Sequence, residues 1–266
     1  VTQRQGHEAI LAIFDLDKTI IDTSASMAYG KPMAERGLIG TPEVLRMMAH
    51  LGNYMLNGHT EENMNATKDA LLRMIRGREE SAVRSVAQDA LQEVITPYIY
   101  AEARDLIEQH RQQGHHIAIV TASPSVMVEP IARELGADHL IATELEVVDG
   151  LFTGEVVHFN KGDSKVERIR ELAEKLHYNL DESFAYSDSF TDLPMLNLVG
   201  HPTAVNPDRP LRKHATDSGM PISHFEKPEP LFPQGAVLAG AGATLALLGV
   251  VATGLTLWFK SRDDDT

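Results

Sequence analysis

The sequence predicts an α/β protein: a doubly wound parallel sheet with a helical insertion after its first strand and an apolar segment at its C-terminus. Three observations carry this. The runs Ile10–Phe14 and His116–Val120 are continuously apolar rather than alternating, as strands covered on both faces are. From Ala101 onward such runs alternate with stretches of helical spacing, the order that builds a wound sheet. Between Thr23 and Pro97, by contrast, no strand pattern is found and only helical spacing recurs.

Taken in order, Ile10–Phe14 is the first strand, and it runs directly into Asp15, Asp17 and Thr19 with one residue between each. Alternation along a strand points Asp15 and Asp17 the same way. Two carboxylates so placed repel by roughly 4 kcal/mol at 4 Å and an effective dielectric near 20, which implies a shared proton or a cation. In the insertion, Thr41-Pro42-Glu43 and Thr60-Glu61-Glu62 read as helix starts. Leu71, Leu72, Met74 and Ile75, then Val83, Val86, Ala87, Ala90, Leu91 and Val94, recur at helical spacing. Met47, Met48, Met55, Met64 and Met74 are expected to line its core.

Glu102–Gln113 is expected to be helical and closed by Gly114. The strand His116–Val120 is expected to end at Thr121-Ala122-Ser123, with Pro124 opening a helix to Leu135. Ile141–Glu144, then Leu145–Val148 and Leu151–Val157 around Asp149-Gly150, predict a hairpin with a primed turn. Ser164–Leu176 reads as helix, and Phe184–Tyr186 and Thr203–Val205 as short strands. Ligands of such sheets sit beyond the carboxyl ends of the strands, where Asp15, Thr121 and Asp188 fall.

Composition narrows the chemistry. The formal net charge of −14, from 38 acidic and 24 basic side chains, argues against a nucleic-acid partner. With no cysteine, thiolate catalysis, disulfides and cysteine-held zinc are excluded. The 12 histidines include no HExxH spacing, and Ser123 has no GxSxG around it.

Four polar clusters follow strands or open helices: Asp15/Asp17/Thr19, Thr121/Ser123, Lys165, and Asp188/Asp192. In order and spacing they resemble the haloacid dehalogenase-like superfamily, in its phosphoserine-phosphatase-like branch. FDLDKT matches the first motif, VTAS the second, Lys165 in KGDSKVERI the third, and YSDSFTDLPML the fourth. The 23 residues from Lys165 to Asp188 suit that branch better than the 27 from the competing Lys161. Ser187 stands where many relatives have Gly. The likeness spans about residues 10–223.

The resemblance implies a catalytic core at 1–22 and 98–225 with a helical cap at 23–97. It also implies a phosphomonoester hydrolase using Mg2+, held by Asp15, the Asp17 carbonyl and Asp188. Asp15 is then the nucleophile that forms an aspartyl phosphate, and Asp17 the acid that becomes a base. Lys165 and Thr121 hold phosphoryl oxygens, with Ser123 and the backbone N–H groups of Leu16, Asp17 and Ala122 beside them. Asp192 orients Lys165 or the metal's waters. Lys18, between the acids, reads as pointing off their face. Phosphoserine phosphatases carry a Glu nine residues after the nucleophile, where this chain has Ser24. That favours another small or lipid head-group phosphate as substrate. Phosphoserine phosphatase proper and a non-catalytic regulatory module of the same fold stand as alternatives.

Residues 235–259 contain no charged side chain, a length and composition that read as a single membrane span. Residues 226–234 form its linker, and 260–266 a polar tail. Trp258, Lys260 and Arg262 serve as border anchors, and the small residues Ala239, Gly240, Gly242 and Ala243 allow helix pairing between copies. The expectation is a cell-membrane protein with its catalytic part in the cytoplasm. Arg209, Arg212 and Lys213 read as either a lipid-facing basic cluster or a solvated helix start.

Overall fold

In the computed structural model, strand β1 (Leu11–Phe14) lies at the middle of a seven-stranded sheet and is buried along its whole length. The structure describes residues 9–40, 72, 73 and 75–226, which all fall within one compact unit, Val1–Pro228. The remaining strands are β2 (His116–Pro124), β3 (His139–Val148), β4 (Leu151–His158), β5 (Phe184–Ser187), β6 (His201–Val205) and β7 (Ile222–Ser223). Their order is β4-β3-β2-β1-β5-β6-β7, and every neighbouring pair is parallel except β3 with β4. The chain winds outward from β1 in one direction and then returns to its other side at β5, so the crevice between β1 and β5 is the topological switch point.

Alternation along β1 divides the core into two layers. Ala12 and Phe14 join one apolar cluster, while Leu11 and Ile13 join the other. Helices α4 (Ala101–Gln112) and α5 (Ser125–Glu134) cover the first face through Ala103, Ile107, Val128 and Ile131. The second face is covered by α6 (Asp163–Leu176), α7 (Leu193–Leu196) and α8 (Arg209–Ser218), through Ile169, Leu196 and Leu211. Helices on both faces are what a doubly wound sheet requires, and fully buried side chains such as Phe14, Ile119 and Ile169 each contribute roughly 1.5–3 kcal/mol.

One boundary differs from expectation. β2 does not stop at Val120; it continues through an irregular register to Pro124, whose Cα pairs with Thr143 of β3, and α5 starts at Ser125. A proline's fixed φ suits extended backbone as well as a first helical turn, and here pairing with β3 decides between them. The hairpin turn is of the primed kind, with Asp149 at φ 51° and Gly150 at φ 78°.

In the segment between β1 and α4 the structure describes α1 (Ala25–Ala28), α2 (Gly30–Glu35) and α3 (Glu80–Val94). The buried face of α3, Val83, Val86, Ala87, Ala90 and Leu91, has helical spacing and packs on α5. Arg84 of α3 pairs with Glu80 and with Glu129 of α5. The two connections into this segment form a short antiparallel ribbon. Ile21 bridges Ile99, the Asp22 N–H donates to the Tyr98 carbonyl at 2.8 Å, and the Tyr100 hydroxyl donates to Asp22 Oδ1 at 2.8 Å.

The helix starts at Thr41 and Thr60, the five methionines from Met47 to Met74, and the linker, apolar segment and tail beyond residue 226 lie outside the described residues. Among the described residues no helix is long and apolar enough to cross a membrane. Arg209, Arg212 and Lys213 lie on α8, which Asp208 caps through the Leu211 N–H, and Lys213 pairs with Asp217 at 2.5 Å.

Candidate active site

The site is built from the ends of β1, β2 and β5 and the start of α6. β1 gives out at Phe14, but the Asp15 N–H still donates to the Tyr186 carbonyl of β5 at 2.9 Å. The chain then coils once: the Leu16 carbonyl accepts from the N–H groups of Ile20 (3.0 Å) and Ile21 (3.1 Å). Lys18 adopts φ 64°, left-handed backbone that costs a side-chain-bearing residue energy. It is therefore not a strand residue pointing away from the acids. Its side chain is exposed, and its charge opposes the upward shift of Asp188.

Lys165, at the start of α6, is 2 % exposed and lies between two carboxylates. Its Nζ donates to Asp15 Oδ1 and to Asp192 Oδ2, both at 2.8 Å. Burial opposes its charge, but Asp15 and Asp192 outweigh burial and hold the ammonium protonated well above the usual lysine range. Asp15 is pushed up by burial; Lys165 pulls it back, and the negative charges of Asp192, Asp188 and Asp17 push it further up. Lys161 lies in the loop before α6, its N–H on the Phe159 carbonyl; the ammonium at Asp15 is that of Lys165.

Asp17 faces a different set of partners. Its Oδ1 accepts from the Ala25 N–H at 2.6 Å, and its Oδ2 accepts from Ser123 Oγ at 2.8 Å and Thr121 Oγ1 at 3.2 Å. Burial raises its pKa more than these hydrogen bonds and Lys165 lower it. Ser123 Oγ also meets Ser26 Oγ at 3.2 Å, and the Ser123 N–H donates to Thr121 Oγ1 at 3.1 Å. The irregular end of β2 is held from β3 and the loop after β4. Asn160 Nδ2 donates to the carbonyls of Thr121 (2.8 Å) and Ile141 (2.9 Å), and Thr143 Oγ1 donates to the Ala122 carbonyl at 2.7 Å.

Asp188 follows β5. Its N–H donates to Thr19 Oγ1 at 3.0 Å, and its carbonyl accepts from the Asp208 N–H at 2.7 Å. Burial pushes its carboxyl up to about 7, with Lys18 opposing and Asp192 and Asp208 adding to the rise. Asp192 holds Lys165 on one side and accepts from Ser187 Oγ at 2.8 Å on the other.

The acids exceed the cations here: Asp15, Asp17, Asp188 and Asp192 stand against a single buried ammonium. Among the described residues no three His, Asp or Glu side chains converge closely enough to hold an ion by themselves. Magnesium does not need three. Two carboxylates, Asp15 and Asp188, with the Asp17 carbonyl and waters suit its all-oxygen preference; both carboxyls are shifted up chiefly by burial and further by neighbouring acids, which a bound cation would offset. Asp17's own carboxylate is taken up by Ala25, Ser123 and Thr121, which leaves its carbonyl as its contribution to such a set.

Sequence reasoning did not foresee Asn160, Thr143 and Ser26. Their hydroxyl or amide groups match no motif, and only the fold brings them to β2. Ser187 was legible as a departure at a motif position, not as a partner of Asp192.

The family model for haloacid dehalogenase-like hydrolases matches residues 12–197. A probable phosphatase of Mycobacterium tuberculosis is 43% identical over 242 residues, 91% of this chain and 84% of that protein. A phosphoserine phosphatase of the same organism is 32% identical over 243 residues, 89% of this chain and 79% of that protein. The crystal structure of a protein of unknown function from Bordetella pertussis Tohama I superposes with a TM-score of 0.71 at 29% identity, covering 81% of this chain and 98% of that one. With the switch-point crevice, the paired acids and these likenesses together, the chain belongs to the haloacid dehalogenase-like hydrolase family and is a phosphatase.

Proposed function

We propose that the protein hydrolyses phosphate monoesters with magnesium, through a phosphoryl group carried on Asp15. The observation that carries this is the 2.8 Å contact of Lys165 Nζ with Asp15 Oδ1, both buried, in a group that includes the half-buried Asp17 and Asp188. A phosphate monoester is a dianion, so a carboxylate can approach it only where charge is neutralised. Asp15, Asp188 and the Asp17 carbonyl would hold magnesium, which would supply positive charge to the transferring phosphoryl group. Lys165, whose Nζ lies on Asp15 Oδ1, adds its own positive charge, and Thr121 Oγ1 donates to a phosphoryl oxygen once Asp17 shifts toward the leaving group.

Asp15 attacks phosphorus as the ester oxygen leaves with the proton of Asp17. The same Asp17, now ionised, takes a proton from water as that water attacks the aspartyl phosphate and releases inorganic phosphate. An acid whose pKa is raised by burial yet restrained by three hydrogen bonds suits this double duty.

Ser24 shapes the substrate reading. It caps α1 and is neutral where phosphoserine phosphatases carry a carboxylate for the substrate's ammonium. A substrate without an ammonium group beside the phosphate fits better, and the uncharged segment 235–259 favours a lipid head-group phosphate met at a membrane. Phosphoserine itself is the second reading, supported by the 32% identical relative of that name. Phosphate release from phosphoserine and from lysophospholipid phosphates, with and without magnesium, separates the two. Equal inactivity toward both defeats both, and magnesium-independent release defeats the mechanism.

A further inference from the structure

Resting on that reading, we propose that Ser187 is a positioning residue whose hydroxyl fixes the Asp192 carboxylate against Lys165, and so sets how firmly the protein grips a phosphoryl group. Ser187 is the last residue of β5 and is fully buried. Its Oγ donates to Asp192 Oδ2 at 2.8 Å, and the same oxygen accepts Lys165 Nζ at 2.8 Å. The Ser189 N–H donates into Ser187 Oγ at 3.3 Å. With one lone pair engaged by that amide, the hydroxyl proton is directed at Asp192 rather than free to turn.

The torsion of a carboxylate about its last bond is soft and two-fold. A single ammonium contact leaves Asp192 able to swing, and Lys165 with it. Two donors on one oxygen, one of them anchored in the sheet, remove that freedom. Without the Ser187 hydroxyl, the Asp192 carboxylate keeps the Lys165 ammonium as its ion-pair partner. Ser187 thus acts through Asp192 on Lys165 and meets no substrate.

The test is S187A, assayed with p-nitrophenyl phosphate as substrate and inorganic phosphate as inhibitor. Loss of one hydrogen bond to a charged group predicts that KM and the phosphate inhibition constant rise together by about three- to tenfold. The turnover number stays within about twofold, and the magnesium half-saturation and melting temperature stay where they were. S187G, which removes the hydroxyl without adding bulk, reproduces S187A should the latter fold poorly. In a D192N background S187A has no further effect.

Unchanged KM and inhibition constant overturn the proposal, as does an equal shift in magnesium half-saturation, which assigns Ser187 to Asp188 instead. Additive effects of S187A and D192N overturn it as well. D15N keeps the two levels apart. Turnover surviving D15N removes the mechanism and this inference with it, whereas an inactive D15N beside an unaltered S187A removes only the role of Ser187.

Discussion

The two ends of the parallel strands bury polar groups by opposite means. At the carboxyl ends, Asp15, Asp192 and Lys165 form an ion-paired group with almost no solvent, the Lys165 ammonium lying 2.8 Å from each carboxylate. At the amino ends, His116, His139 and His201 open β2, β3 and β6, and His110 and His115 lie beside them among aromatic rings. There burial lowers the pKa of His110, His115 and His139, which favours their neutral forms. His110 Nε2 meets the Tyr186 hydroxyl at 2.8 Å and its Nδ1 meets His115 Nδ1 at 2.8 Å, while burial and then His115 push its pKa down to about 4. The carboxyl ends thus bury carboxylates beside an ammonium, whereas the amino ends bury imidazoles whose charged form burial disfavours.

The largest break in this contrast comes from the charged end. D15N removes the proposed nucleophile with little change of side-chain shape, and magnesium-dependent phosphate release should fall to background. D17N keeps the nucleophile but leaves no proton for the ester oxygen, so turnover should fall by about 10²–10⁴-fold. The loss should be far smaller with p-nitrophenyl phosphate, whose leaving group needs little protonation. An equal loss on both substrates removes Asp17 from the acid's role.

K165M leaves Asp15 and Asp192 buried with no ammonium between them. Stripping one partner from a buried pair typically costs about 3–5 kcal/mol, so the urea midpoint should drop markedly. Added magnesium should return part of that loss, whereas in the unsubstituted protein its stabilising effect is smaller.

The neutral end yields the smallest effect, visible only in acid. Below its ordinary value of 6.5 the unfolded chain binds a proton at His110 that the folded protein refuses until about pH 4. Stability from this residue is therefore complete above about 6.5 and is lost as the pH falls from there toward 4. Melting temperatures across that window should decline for the natural protein and decline less for H110Q. A slope untouched by H110Q would place the acid sensitivity in other groups.

Much of this arrangement was written in local patterns. A continuous apolar run must be covered on both sides, so Ile13 and Phe14 declare a central strand, and the DxDxT that follows declares where its polar end lies. The 23-residue interval to Asp188, which the family resemblance favours over the 27 from Lys161, picked out Lys165, and it is Lys165 that meets Asp15. What stayed hidden depends on contacts across the chain. That β2 runs to Pro124 is decided by Thr143 of β3, and no property of HIAIVTASP alone reveals it. Asn160 reads as an ordinary loop residue until the fold places its amide on two strand carbonyls. Lys18 was misread because strand alternation was carried past Phe14, where the backbone had already turned left-handed.

The ribbon of residues 20–22 against 98–100 has a mechanical consequence. Its Ile21–Ile99 bridge fastens the inserted segment at both ends, and it lies only four residues from Asp17, across a single coil closed on the Leu16 carbonyl. Asp17 is also gripped from the other side by the Ala25 N–H of that segment's first helix. Any tilt of the insertion's first helix against the sheet is thus levered onto the Asp17 carboxylate from two directions.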